Sequence, residues 1–230
     1  MSSAAAGVTS PAVKRPWKIV LPFLLMVVMA ISMWPGMSEP LARALGLSNG
    51  LNFSAAYALA FCAGVYFPKR LKWALPLGMF VVVNALTNVH YGVSPFDKYL
   101  IVKVAAFGAL IWIGTRYSAK QSTFKLIRGG LLSALIFYII TNTASWLWDP
   151  AYKKNLLGWI QSLTVGTPGF PPSIQFLFNS LISGGLFTGL FAGAMKLTAA
   201  DEATEEEPES EEKAEPSDDG ALPAPKESEA

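Results

Sequence analysis

Hydrogen-bonding side chains recur at helical spacing in three otherwise apolar parts of this chain. Asn84, Thr87, Asn88 and Tyr91 follow one another at i, i+3, i+4 and i+7, and Tyr138, Thr141, Asn142 and Ser145 repeat the pattern. A third set comprises Gln175, Asn179, Ser180 and Ser183. Such spacing gathers each set on one helix face. Amides and hydroxyls carry no charge, so the chemistry they offer is recognition of an uncharged or weakly charged polar molecule. The competing use is hydrogen bonding between helices, worth roughly 0.6 kcal/mol per bond. That use accounts better for any single residue, whereas convergence of three stripes favours a pocket. The candidate ligand-binding residues are Asn84, Asn88, Thr141, Asn142, Gln175 and Asn179, with Trp159 on a covering loop.

The stretches that carry these residues are of membrane-spanning character. Of 230 residues, 52% are hydrophobic and mean hydropathy is +0.39. A spanning helix needs about 20 mainly apolar residues to cross ~30 Å of hydrocarbon. Six runs qualify or nearly do: 17–34, 51–67, 73–89, 99–115, 129–147 and 174–197. None alternates polar and apolar residues as a barrel strand would. The expectation is an all-α integral membrane protein with six transmembrane helices. Its parts are a flexible N-terminus at 1–13, a membrane domain at 14–198 and an acidic tail at 199–230.

Charge gives this arrangement a direction. Residues 1–200 hold sixteen Lys and Arg against three acids, Glu39, Asp97 and Asp149, while residues 201–230 hold thirteen acids and two lysines. Basic loops stay in the cytoplasm. Lys14, Arg15 and Lys18, then Lys69, Arg70 and Lys72, then Arg116, Lys120, Lys125 and Arg128, and finally Lys196 mark alternate junctions. The other side has Arg43, Lys98, Lys153 and Lys154 together with all three acids. Both termini are therefore expected in the cytoplasm, with the polar stripes in the outer half of the bilayer. The first run lacks a small-x-small cleavage site after its apolar centre and reads as a retained anchor. The tail, rich in Glu, Pro, Ser and Ala, cannot bury enough surface to fold and is expected to be disordered.

Most catalytic chemistries are excluded by what the runs lack. They contain no Asp or Glu, so an intramembrane carboxylate pair or proton relay is absent. His90 is the single histidine, which rules out a His cluster on a metal. No Walker loop occurs. Cys62 is the lone cysteine and has no partner for a disulfide within the chain. Lys103, inside the fourth run, is expected to snorkel to the outer surface. No catalytic residue, metal or cofactor is assigned, an enzyme is the least favoured class, and the basic loops follow topology without implying nucleic acid.

Two further features concern partners. Ala56, Ala60 and Gly64 form a small-residue face, as do Gly185, Gly189 and Gly193. Such faces let helix backbones approach closely, within the chain or against a second membrane protein. The connection before the last run holds Trp148, Tyr152, the short amphipathic stretch Leu156–Leu163 and a Gly/Pro-rich run at 166–172. It reads equally as a lid over the pocket or as a helix at the lipid headgroups.

Several motifs resemble a family of uncharacterised bacterial multi-span proteins, a domain of unknown function. They are Asn52-Phe53-Ser54-Ala55-Ala56-Tyr57-Ala58-Leu59-Ala60 with Gly64-Val65-Tyr66-Phe67, Leu75-Pro76-Leu77 leading to Asn84, and Phe137-Tyr138-Ile139-Ile140-Thr141-Asn142 with Trp146. Tyr152 through Gly158, Phe178-Asn179-Ser180-Leu181 and Gly185-Leu186-Phe187 complete the set. The likeness covers about residues 50–195. The family usually has Asp where Asn84 and Gly185 stand, so a cation- or proton-binding role of those acids would be lost here. More distantly the chain resembles the substrate-binding subunits of energy-coupling-factor vitamin transporters. That resemblance implies that Ala56, Ala60 and Gly64 dock a transmembrane coupling subunit served by ATPases, and that later helices hold the substrate. The expected function is capture of a small polar metabolite at a bacterial inner membrane. A structural envelope scaffold, without a small-molecule ligand, is the alternative.

Overall fold

A computed structural model of the chain describes residues 17–47 and 53–211, and every regular element among them is an α-helix. In order these are α1 (Trp17–Met33), α2 (Glu39–Ala44), α3 (Ala56–Tyr66), α4 (Leu71–His90), α5 (Tyr99–Gly114), α6 (Thr123–Trp148), α7 (Leu156–Leu163) and α8 (Ser173–Glu211). The chain divides after Ala192 into two units. In the second, the helix begun at Ser173 continues to Glu211, so residues 201–211 of the expected disordered tail are helical. The remainder of that tail and the N-terminal 1–13 lie outside the described residues.

The expectation of six spans is corrected to three. Among the described residues, Leu71–His90, Thr123–Trp148 and Ser173–Ala199 are long and apolar enough to cross a membrane. Helix α1 has 17 residues, α5 has 16 and α3 only 11. At 1.5 Å per residue, α3 reaches about 17 Å, roughly half of a hydrocarbon core. Its apolar sequence has another cause. Ala56 through Gly64 are all buried, because α1, α4, α5 and α6 surround this helix. A helix apolar on every side is a core helix as readily as a spanning one.

Local chemistry sets the ends of α3. Its sequence AYALAFCAGVY is alanine-rich and favours helix. The first backbone N–H groups are satisfied from outside: Ala55 donates to Ser32 Oγ at 3.0 Å and Ala56 to Ser54 Oγ at 3.3 Å. The helix stops where Phe67 turns extended before Pro68, which disfavours helix in the residue preceding it.

Small residues fix how closely the core helices meet. A Cβ added at Gly64 would overlap the Ile111 carbonyl oxygen and lie 2.8 Å from Gly114 Cα. One added at Gly114 would overlap the Phe61 carbonyl oxygen. Helices α3 and α5 therefore cross backbone against backbone. Helices α6 and α8 do likewise: a Cβ at Gly130 would overlap Thr188 Oγ1 and lie 3.0 Å from the Gly184 oxygen. Between the crossings aromatic rings interdigitate, with Phe107 stacked on Phe80 at 4.0 Å and edge-on to Phe137 at 5.6 Å. Outward positions carry large apolar side chains such as Val82, Leu86, Ile101, Leu132, Phe178 and Ile182. Hydrocarbon is the solvent that suits such a surface.

Candidate functional site

Polar groups from α4, α5, α6 and the connection at 91–98 meet at one end of the helices, around Lys103. The Lys103 ammonium donates to Asn84 Oδ1 at 3.0 Å and stands 3.8 Å from Asp97 Oδ2. Side-chain exposure is 32% for Lys103 and 20% for Asp97, so the pair is partly shielded from solvent. Asp97 is held from four directions. Its Oδ1 accepts the backbone N–H groups of Tyr99 (2.6 Å) and Leu100 (3.0 Å), while Oδ2 accepts from Asn88 Nδ2 at 2.9 Å and faces Lys103. The first two bonds cap the start of α5, where orphan N–H groups and the helix dipole favour an anion. Burial pushes the Asp97 carboxyl upward. The Asn88 amide, the Lys103 ammonium and the two backbone donors outweigh that effect and hold it below its ordinary range.

A cavity of about 200 Å³ opens beside this cluster, lined by Tyr99, Val102 and Lys103 of α5 and by Thr141, Ala144 and Ser145 of α6. Ligand pockets commonly occupy ~300–1,000 Å³, so this one suits a small guest. Its two aliphatic hydroxyls have committed their hydrogens: Thr141 Oγ1 donates to the Phe137 carbonyl at 2.9 Å and Ser145 Oγ to the Thr141 carbonyl at 3.1 Å. Their lone pairs remain as acceptors. Lys103 is a donor with three hydrogens, one of them on Asn84. Trp148 packs on the Tyr99 ring at 5.5 Å.

The predicted residues divide between this site and other roles. Thr141 lines the cavity. Asn84 and Asn88 stand behind it, orienting Lys103 and Asp97, and the buried Asn84 Nδ2 has no hydrogen-bond partner. Asn142 turns away and donates to the Tyr138 carbonyl one turn back in its own helix at 2.9 Å. Trp159 does not cover the cavity. Its indole N–H donates to Thr143 Oγ1 at 3.0 Å, wedging α7 against α6. Asn179 is buried and Gln175 half-buried on α8, and neither lines this cavity. Ala56, Ala60 and Gly64 are enclosed by their own chain, with α5 crossing directly over Gly64.

Lys103, expected to reach for the surface, does extend toward Asp97 at the end of α5, and on the way it lines a cavity. Tyr99 and Ser145 were not among the expected lining residues either. The sequence signal available was an ionisable residue inside an apolar run, which marks a functional site by default.

The connection after α6 is latched down by several bonds. Trp146 Nε1 donates to the Lys153 carbonyl at 2.9 Å, and Lys154 Nζ donates to the carbonyls of Trp146 and Asp149. The Tyr138 hydroxyl donates to the Leu163 carbonyl. Asn155 caps α7 by accepting from Gly158 N at 2.9 Å. Gly158 admits no side chain, since a Cβ there would overlap the Lys153 carbonyl oxygen.

Three helices of spanning length, an outward apolar surface and a lysine-lined cavity at one end define an all-helical membrane protein. Within that class, the chain belongs to the family of unknown function DUF6580, whose model matches residues 13–207. No curated protein and no solved structure matches it. Among the described residues no group of three or more His, Cys, Asp or Glu side chains is placed to hold a metal ion.

Proposed function

We propose that this protein binds a small polar solute in the cavity between α5 and α6, as a capture component of the bacterial inner membrane. The observation that carries the reading is the Lys103 ammonium lining a cavity in which the Thr141 and Ser145 hydroxyls offer lone pairs. A fitting ligand presents an acceptor, best an anionic one, toward Lys103 and a donor toward the hydroxyl oxygens. Charge-assisted bonds are about twice as strong as neutral ones, which makes Lys103 the main anchor. The strongly basic junctions at Lys69 to Lys72 and at Arg116 to Arg128 adjoin the opposite ends of α4 and α6. With those in the cytoplasm, the cavity opens outward. A coupling subunit of the kind the distant transporter resemblance suggests would need a docking face other than Ala56, Ala60 and Gly64.

The test is mass spectrometry of small molecules retained by the purified protein, followed by titration of the retained compound. Lys103→Met should weaken its binding at least tenfold, about 1.4 kcal/mol, while Thr141→Val and Ser145→Ala together give a smaller loss. Trp fluorescence melting of each variant separates lost binding from lost folding. Wild-type protein that retains nothing, or a Lys103→Met variant that binds equally well, would remove the capture reading and leave the envelope scaffold.

A further inference from the structure

Helix α7 turns its apolar side chains outward and its small and polar ones inward. Leu157 is 75% exposed, comparable to Ile101 on the outer surface of α5 at 76%, and Leu156 and Ile160 are exposed beside it. Gly158 and Ser162 are buried. In water such an orientation is unfavourable by the transfer cost of each side chain.

Bonds to α6 fix where this helix lies. Lys153 is tied to Trp146, Trp159 to Thr143 and Leu163 to Tyr138. As the chain advances from 153 to 163 its partners step back from 146 to 138. Helix α7 therefore runs alongside α6 in the opposite sense, descending eight residues of it, about 12 Å. The chain then climbs again, since Thr167 comes within reach of the Tyr152 side chain. Helix α6, with 26 residues, is about 39 Å long against a core of ~30 Å. For an upright and centred α6, Trp146 sits near the hydrocarbon boundary and Tyr138 within about 4 Å of the midplane.

We infer that α7 is a re-entrant helix, entering and leaving the bilayer on the side of the Lys103 cavity, and that Leu156, Leu157 and Ile160 lie against lipid acyl chains. The lower end of α7 is finished as such a location demands. Backbone groups have no water to bond inside hydrocarbon, so helix-terminal carbonyls must be satisfied by protein. The Ile160 carbonyl accepts from Thr164 Oγ1 at 2.8 Å, and that of Gln161 from Thr164 N at 3.1 Å and Gly166 N at 2.8 Å. The Leu163 carbonyl takes the Tyr138 hydroxyl, that of Thr164 takes Ile174 N at 2.9 Å, and that of Gly166 takes Gln161 Nε2 at 3.0 Å. Five of the seven carbonyls from Ile160 to Gly166, all but those of Ser162 and Val165, are thus closed off.

Site-directed spin labelling of the full chain in liposomes tests the inference. Cys62, wholly buried, is replaced by Ala, and single cysteines are placed at Leu156, Leu157 and Ile160. Ile101→Cys serves as the outward apolar reference and Ser118→Cys as the aqueous one. Collision with oxygen should exceed collision with a water-soluble nickel chelate several-fold at all three positions, as at Ile101, and the excess should grow from Leu156 to Ile160. Nickel collision rates like those of Ser118 would place α7 in water and overturn the inference. Low rates for both probes would show that protein, a second copy or another subunit, covers the face in place of lipid, which overturns it as well.

Discussion

Gly64→Ala will lower the thermal stability of the purified protein by about 3 kcal/mol, at the upper end of the ~1–3 kcal/mol typical of overpacked cores, and Gly64→Val will prevent folding. The reason lies in what stands opposite. An added Cβ meets backbone, the Ile111 carbonyl oxygen and Gly114 Cα, and neither can swing aside as a flexible side chain could. Relief requires α3 and α5 to separate, and that separation would open voids around Phe61, Leu110 and Ile111, all fully buried. Gly114→Ala should cost a similar amount. Because both changes push the same two helices apart, the double variant should lose less than the two single losses combined. Gly78→Ala is the control: nothing lies within 4 Å of its added Cβ, so the helix should gain roughly 0.5–1 kcal/mol. Fluorescence melting in detergent distinguishes the cases. A Gly64→Ala protein as stable as Gly78→Ala would refute the close crossing.

Asp97→Ala should cost about 2–3 kcal/mol at neutral pH, from the lost cap of α5 and the lost acceptor for Asn88 and Lys103. Asp97→Asn keeps the shape and loses the charge, so it should fall between wild type and Ala. The pH dependence carries the diagnosis. Since the folded carboxyl is held below its ordinary value of about 3.9, its stabilisation is fully present above that value. It fades as the pH falls through the lower value of the folded state. The gap between wild type and Asp97→Asn should therefore be constant from about pH 5 to 7 and close at more acidic pH. A gap that persists unchanged in acid would assign the residue a steric role without charge. Ligand affinity should fall with Asp97→Ala as well, since Lys103 would lose the group that holds it beside the cavity.

Several elements could be read directly from the residues, and the exceptions have physical reasons. The stretch Leu156–Leu163 was legible to its ends because Asn155 caps it and Thr164 leaves helical geometry. The polar stripes of α4 and α6 were legible from spacing, and Asn84, Asn88 and Thr141 do gather at one place. Helix α3 was misread as a span because a run of alanines enclosed by protein and a run facing lipid are equally apolar. Hydropathy measures the absence of water and not its replacement. The Lys103 site was hidden for a related reason. Its anchors come from a different helix and from a loop, and only the antiparallel approach of α4 and α5 makes Asn84 its neighbour. Asn142 illustrates the converse: its stripe was real, but its amide satisfies a carbonyl of its own helix.

The short central helix also bears on how the chain is assembled. Eleven residues cannot hold themselves across a bilayer, yet α3 precedes in sequence the helices α4, α5 and α6 that enclose it. During synthesis it therefore emerges when α1 alone of its surrounding helices has been made, with few lipid-matched residues to keep it in place. Its final position must be granted by later arrivals, Gly114 sealing one flank and Gly129 receiving the Phe61 ring on another. A nascent chain halted before α5 would leave this segment waiting at the membrane surface, and insertion of the middle of the protein becomes an event that runs backward along the sequence.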